Sequence, residues 1–491
     1  MSSATDTSHS PHAHHPPAAA PASAARDAEE VPGPTDGPVA SLRRLRADPL
    51  NRFGELAREH GPVVRIARWP VSAFLVTEPE AIADALVSGH RAYAKGAVRR
   101  RGRAGSRETV VQPLALLLGQ GLLTSAGDVH RRQRRLMQPL FHKQRIAGYA
   151  DAFASIAADT AAGWDDGQLL DLHAEMTRMT LAIIARTLFD VDLDSRVVDV
   201  VRTALDETMP AARRAPMPGF STVERLPLPG ARRRRASRDA LDQVVLDLIA
   251  QRRAAGATGA DLLSLLLSAR DADTGAPMDD AQVRDEALTL LLAGHETTAN
   301  ALSWTFHLLG DAAEVRAVLQ AELDEVLGDR LPTIDDLPRL PYTGAVFQES
   351  MRLFPPVWAM GRHLVEDRDV AGYRLPAGST LVFSQWVVHR DARWWSEPDR
   401  FDPTRWLQPP DTEADAARST PPRPRFAYFP FGAGPRQCIG NTLAVTEGIM
   451  ALATLARHWT FAPVPGRVVT PQPLVTLRPR NGLPMTARRR P

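Results

Sequence analysis

Phe429-Pro-Phe-Gly-Ala-Gly-Pro-Arg-Gln-Cys438-Ile-Gly440 is the stretch on which the reading of this 491-residue chain turns, because Cys438 is its one cysteine. Gly432, Gly434 and Pro435 predict a tight, bent loop ahead of the thiol. Gly440 and the apolar run Leu443–Leu455 behind it predict a buried helix. The sulfur therefore lies at a helix mouth, where unpaired N–H groups and the dipole favour the thiolate. A thiolate so placed can be an axial ligand to haem iron, and its electron donation helps to break an O–O bond. The alternative is an inert core cysteine after a turn, the usual reading of an isolated thiol.

Composition narrows the setting. Hydrophobic content of 44% supports a large core, and a net charge of +2 gives no electrostatic drive toward nucleic acid or a membrane surface. Lysine is scarce, Lys95 and Lys143 alone among 59 basic residues. A single cysteine excludes an intramolecular disulfide framework and fits a reducing cytoplasm. No run of about 18 apolar residues predicts a spanning helix, and no signal-peptide core opens the chain. Residues 1–36, rich in Ala, Pro, Ser and His, read as a disordered tail. His12, His14 and His15 within it form a solvated cluster, with stray metal binding as the alternative.

Beyond the tail, residues 37–491 read as one mainly α domain with small β-sheets. Asn51–His60 predicts a short amphipathic helix, and Val63–Ile66 and Phe74–Thr77 predict strands. An irregular basic segment (Arg99, Arg100, Arg101, Arg103) passes into apolar Leu114–Leu118. Long helical patterns cover Asp280–Leu309, Ala312–Leu327 (stopped by Gly328) and Pro341–Phe354 (stopped by Pro355-Pro356). A further pattern covers 236–253, with the Arg232–Arg235 run as its solvated approach. Alternation over Val365–Val388 predicts strands, and Asn481-Gly482 predicts a late hairpin between Leu474–Leu477 and Leu483–Thr486.

Three further segments carry chemistry. Ala293-Gly-His-Glu-Thr-Thr298 interrupts an apolar helix, where Glu296 and Thr297 are costly unless used or satisfied. Ala293 and Thr297 share a face, with Leu290 one turn earlier. The alternative is a small-residue helix crossing with a threonine bonding back to its own backbone. Glu349 and Arg352 sit i,i+3 on one helix face, a spacing that most often makes a surface ion pair. His130 and Arg134 are i,i+4 on another, beside Arg131, Arg132 and Arg135. Those three form either a solvated basic face or a docking face for an acidic partner.

Together these segments resemble the cytochrome P-450 family over roughly residues 38–488. The family's Phe-x-x-Gly-x-Arg-x-Cys-x-Gly pattern is filled by Phe431, Gly434, Arg436, Cys438 and Gly440. Its oxygen-binding helix pattern is filled by Ala293 to Thr298. The resemblance implies Cys438 as the proximal ligand of haem b (iron protoporphyrin IX). It implies His130, Arg134, Arg362 and Arg436 around the propionates, whose charge Arg and His neutralise and orient. Thr297 is implied to hydrogen-bond dioxygen and its water, and Glu296 to relay protons; Ala293 flanks the haem. Arg400 is implied to complete a buried network with Glu349 and Arg352. Residues 209–230 correspond to the substrate gate.

The implied activity is a soluble, bacterial-type, cytoplasmic O2-dependent monooxygenase of secondary metabolism. The chain has no flavin or iron–sulfur motif, so a ferredoxin and a ferredoxin reductase supply electrons. The substrate is a small apolar molecule, fatty acyl, polyketide-like or, by preference, terpenoid. Leu114–Leu118, Leu290, Ala293, Val357–Met360 and Leu474–Thr476 are the pocket candidates. A peroxide-using or rearranging haem-thiolate enzyme and a haem-based sensor are the alternatives, and the Glu296-Thr297 pair disfavours both.

Overall fold

The computed structural model describes residues 25–68, 72–95, 98–101, 107–110, 114–191, 195–212, 223–224, 226–256, 259, 261–270, 275–407 and 423–490. The described chain starts with β1 (Arg26–Asp27), which pairs in parallel with Tyr373 and Arg374. Residues 25–36 are thus part of the fold, which corrects the tail boundary read from composition. Residues 1–24, with the histidine cluster, lie outside the described residues.

α1 (Pro49–His60) starts at Pro49 and is capped by Asp48, whose carboxylate accepts the Asn51 N–H at 3.2 Å. It buries Leu50, Phe53 and Leu56 beside β2 (Val63–Ala67). β2, β3 (Ala73–Val76) and β4 (Tyr93–Ala94) join two later strands, β5 (Met360–Leu364) and β6 (Thr380–Phe383), in the order β2-β3-β6-β5-β4. β6 runs parallel to β3 and antiparallel to β5, with Arg362 opposite Leu381. This sheet covers one side of a larger helical body.

The helical body is built around the longest of the described helices. α2 (Gly127–Met137), α3 (Leu172–Phe189), α4 (Ser195–Ala212) and α5 (Pro229–Ala254) precede it. α6 (Asp280–Asp311) then crosses the core, and its N-terminus is closed by Asp279, which accepts the Gln282 N–H at 2.7 Å. α3 packs closely on α6 because position 294 is glycine: a Cβ there would stand 2.8 Å from Ile184 Cδ1. Thr180 Oγ1 fixes the crossing by donating to the His295 carbonyl at 3.0 Å.

α7 (Ala313–Leu327) ends at Gly328 with φ +52°, as its punctuation predicts. α8 (Pro341–Leu353) receives its N-terminal cap from α7: Glu322 accepts the N–H groups of Tyr342 and Thr343, both at 2.8 Å. α9 (Asn441–His458) follows the cysteine loop and is buried along Leu443–Ala456. The architecture is mainly α with small sheets, as the patterning predicts.

Two boundaries differ from expectation. α5 begins at Pro229, so Arg232–Arg235 lies inside its first turns, where Arg234 pairs with Glu224. Asn481 and Gly482 do adopt φ +61° and +81°, but the strands they join do not pair with each other. The late hairpin is β7 (Pro471–Pro473) with β8 (Leu477–Pro479), and β9 (Pro484–Arg489) instead joins Trp459–Pro463. Turn chemistry fixes a reversal of direction; pairing partners are set by the core.

Candidate active site

The cysteine loop is held by its own backbone and by a missing side chain. The Cys438 N–H donates to the Phe431 carbonyl at 2.9 Å. Gly434 has φ +65°, and a Cβ there would stand 1.9 Å from the Leu86 carbonyl oxygen, so only glycine fits. Burial pushes the Cys438 thiol above its ordinary range, against the Gly440 N–H, Arg134 and Lys95, which pull it down. Burial thus opposes the thiolate that the helix mouth favours, and a bound metal ion would favour it again. Cys438 nevertheless carries exposed surface. A residue so enclosed and yet exposed borders an interior recess.

A second group of residues with mixed exposure lies on α6. Leu290, Leu291, Leu292, His295 and Glu296 are buried, but Ala293 is exposed and Thr297 half-buried. Thr297 Oγ1 donates to the Ala293 carbonyl at 2.8 Å. Glu296 turns to the other side of the helix. Its Oε1 accepts from Thr476 Oγ1 at 2.5 Å and from Arg478 Nε at 2.7 Å. Burial alone would raise this carboxyl's pKa, but the Arg478 charge and the two hydrogen bonds outweigh it and hold it below the ordinary value.

Beside the thiol, the fold concentrates positive charge. Arg362 is buried on β5, and burial draws its pKa down to about 10. Arg436 is drawn down to about 10 by burial and then by Arg362 and Arg134, and its Nη1 is buried without a hydrogen-bond partner. His130 falls to about 3 through burial, Arg436, Arg134 and Lys95. Arg134 donates from Nη1 to the Gln437 carbonyl at 2.7 Å, which ties α2 to the cysteine loop.

Lys95 completes the group and was not anticipated. Burial, then Arg362 and Arg436, depress its pKa to about 7, with the Cys438 thiol acting the other way. Its scarcity in the sequence was a signal that could have drawn attention to it. Buried cations that depress one another need an anion. This donor set fits haem: a thiol for the iron, and a cluster of bases for two propionates.

The Glu349 network is present with one member changed. Arg352 donates to both Glu349 oxygens at 2.8 Å, and the two side chains are fully buried. The third cation is Arg405, whose Nε donates to Glu349 Oε1 at 3.0 Å, and Trp406 Nε1 adds a bond at 2.9 Å. Arg400, expected in this place, contributes its carbonyl to Arg352, while its side chain is exposed and pairs with Glu397. In Pro398-Asp-Arg-Phe-Asp-Pro-Thr-Arg-Trp406 two arginines compete, and the 3-10 turn Pro403–Trp406 aims the second one inward.

Of the pocket candidates, Val357–Met360 and Leu474-Val475 are half-buried, and Trp358 Nε1 ties them by donating to the Leu474 carbonyl at 2.9 Å. Leu117, Leu118 and Leu290 are buried core residues. The gate segment's residues 213–222 and 225 lie outside the described residues. Arg131 and Arg135 are exposed on α2, and Arg132 is half-buried. A cleft of about 450 Å³ is lined by His130, Arg131, Arg134, Arg135, His142 and Pro435 of the cysteine loop, among others.

The chain belongs to the cytochrome P450 family, whose model matches residues 30–483. It is 38% identical to cyclooctat-9-en-7-ol 5-monooxygenase of Streptomyces melanosporofaciens over 83% of this chain and 84% of that protein. It is 37% identical to pentalenene oxygenase of Streptomyces avermitilis over 92% of this chain and 95% of that protein. The crystal structure of the cytochrome P450DA heme domain superposes with a TM-score of 0.80 at 26% identity, covering 94% of this chain and 98% of that one. The protein is a cytochrome P450 monooxygenase, an oxidoreductase. Among the described residues no helix is long and apolar enough to cross a membrane.

Proposed function

We propose that this monooxygenase inserts one oxygen atom from O2 into a small apolar terpenoid, with electrons from a separate ferredoxin and ferredoxin reductase. The observation that carries the reading is the lone thiol beside a cluster of buried and half-buried bases, with Ala293 exposed and Thr297 half-buried on a core helix. Haem b, when bound, supplies the reduction and activation of dioxygen.

The chain's own residues do the rest. Cys438 would hold the haem iron through its sulfur. Lys95, His130, Arg134, Arg362 and Arg436 would neutralise and orient the propionates. Thr297 is free to exchange its bond to the Ala293 carbonyl for one to dioxygen or water. Glu296, held ionised by Arg478, takes up protons and passes them toward Thr297; a nearly dry site needs such a carrier. The half-buried apolar residues Val357–Met360, Leu474 and Val475 orient the substrate and exclude water. The names of the relatives favour a cyclic terpenoid. The basic cleft beside Pro435 suits an acidic ferredoxin. One cysteine fits a reducing cytoplasm.

The test is titration of the haem-loaded protein with pentalenene and a panel of other cyclic terpenes, while watching for the iron spin-state shift that follows loss of bound water. Oxygen and reduced-nicotinamide consumption with a surrogate ferredoxin and reductase then establishes the chemistry. A shift with at least one terpene, followed by O2-dependent product, is expected. Product formed with peroxide alone, and none with O2 and reductant, overturns the reading in favour of a peroxide-using enzyme.

A further inference from the structure

Glu296 is connected to the protein surface through one side chain. Arg478, on β8, donates from Nε to Glu296 at 2.7 Å and from Nη1 to Asp206 Oδ1 at 3.1 Å. Glu296 is buried in the middle of α6, whereas Asp206 is on α4 with 52% of its side chain exposed. One guanidinium is therefore shared between two carboxylates carried by different helices. α4 meets this contact at a weak point of its own. Pro210 stands four residues after Asp206 and lacks the N–H that would bond the Asp206 carbonyl. A helix missing that bond shifts locally at lower cost.

We propose that Arg478 is a positioning residue for Glu296, and that Asp206 makes its hold depend on where α4 lies. With α4 seated, Asp206 takes up part of the guanidinium charge, and Glu296 binds a proton more readily. With α4 displaced, Arg478 is left to Glu296 alone, and the acid is locked as a carboxylate. Arg202, on α4 and 4.0 Å from Asp206, moves with that helix, and the remaining groups facing this cluster do not. His295 is on the same helix as Glu296, Thr476 is in the β7–β8 hairpin, and His173 and Asp171 stand at the start of α3. His173 is kept neutral by burial, with Nδ1 3.2 Å from Ser303 Oγ. The consequence for turnover rests on the reading of Glu296 as the proton carrier: protons are supplied when α4 is seated and withheld when it is not.

Two measurements on the haem-loaded full chain without substrate test the link. The first is the titration of the Glu296 carboxyl by infrared difference spectroscopy, its band assigned by loss in Glu296→Gln. Asp206→Asn should lower its proton affinity about fivefold, the low end for linked sites. Asp199→Asn removes the same charge from the same helix; Asp199 pairs with Arg202 at 3.1 Å, and Arg202 stands 4.0 Å from Asp206, so this variant should move the titration less than Asp206→Asn does. Asp206 is half exposed, so its substitution leaves the fold intact. The second is hydrogen exchange in α4. Glu296→Gln frees Arg478 for Asp206, so exchange there should slow by about the same factor, because coupling is reciprocal. This protection should vanish in Glu296→Gln/Asp206→Asn. A general loosening of structure would speed exchange instead. A titration indifferent to Asp206→Asn, or equally moved by Asp199→Asn, or an α4 indifferent to Glu296→Gln, overturns the proposal. Failure of the proton-carrier reading shows separately, as unchanged peroxide release in Glu296→Gln.

Discussion

The hydroxyl of Thr297 donates to the Ala293 carbonyl at 2.8 Å, and both residues carry accessible surface on a helix whose neighbouring side chains are buried. A hydroxyl parked on its own backbone at a recess can be redeployed without breaking any tertiary contact. Thr297→Ala should therefore retain fold, haem and substrate binding, while product formation falls by about 10²-fold, the low end for a positioned proton-transfer group. Peroxide released per reduced nicotinamide should rise. Unchanged coupling between nicotinamide consumption and product would show that this face does not manage oxygen.

Cys438→Ser should abolish the thiolate-type spectrum of the reduced carbon monoxide complex. No other cysteine exists to replace it. Difference spectroscopy reads the result directly, and a retained thiolate-type band would sink the ligand assignment.

Glu349 and Arg352 are both fully buried, so removing the acid leaves an uncompensated charge. Glu349→Gln should cost about 3–5 kcal/mol in urea unfolding. Arg400→Ala, at an exposed side chain, should stay within about 0.5 kcal/mol. A large effect at Arg400 would restore it to the network in place of Arg405.

How much of this was legible beforehand depends on whether local chemistry or long-range packing decided each point. The cysteine loop, the Glu296-Thr297 pair and the His130/Arg134 spacing are local patterns, readable within a few residues of sequence. Arg405 over Arg400, the β7–β8 hairpin and Lys95 are decided by contacts distant in sequence. Arg478 is the same case: 182 positions separate it from Glu296, and nothing at Leu477-Arg478-Pro479 marks it as a partner for α6. The strand Arg26–Asp27 was not read because two residues leave no periodic trace.

Glu286 supplies a pH test. It is buried on α6, accepts the Leu122 N–H at 2.8 Å, and burial pushes its pKa up to about 8. The unfolded carboxyl ionises near 4.5, so between these values the folded state binds the extra proton. Stability should therefore fall as pH rises from about 4.5 toward about 8 and level off above. Glu286→Gln keeps the acceptor for Leu122 and cannot ionise. It should be near neutral at low pH and more stable than the parent by at least about 1 kcal/mol above the folded pKa. Parallel pH dependences of unfolding for the two proteins would contradict this.

Electron delivery should depend on the basic cleft beside the cysteine loop. Exposed charges are screened beyond about 8 Å at physiological salt, so reduction by an acidic ferredoxin should slow as salt rises. Arg135→Glu should slow it further and leave terpene binding unchanged. Stopped-flow reduction that ignores both salt and the reversal would remove the docking role.

The mutual repulsion of Lys95, Arg134, Arg362 and Arg436 reaches beyond the finished enzyme to its making. A chain that must gather these bases before their counter-anion arrives folds against itself. A group that neutralises them only in the native state stabilises it by mass action. Intracellular yield should then follow iron and porphyrin supply, because chains that miss their cofactor linger in forms open to proteolysis. In a recombinant host, feeding a haem precursor should raise the accumulated protein itself, and not only the fraction that is red.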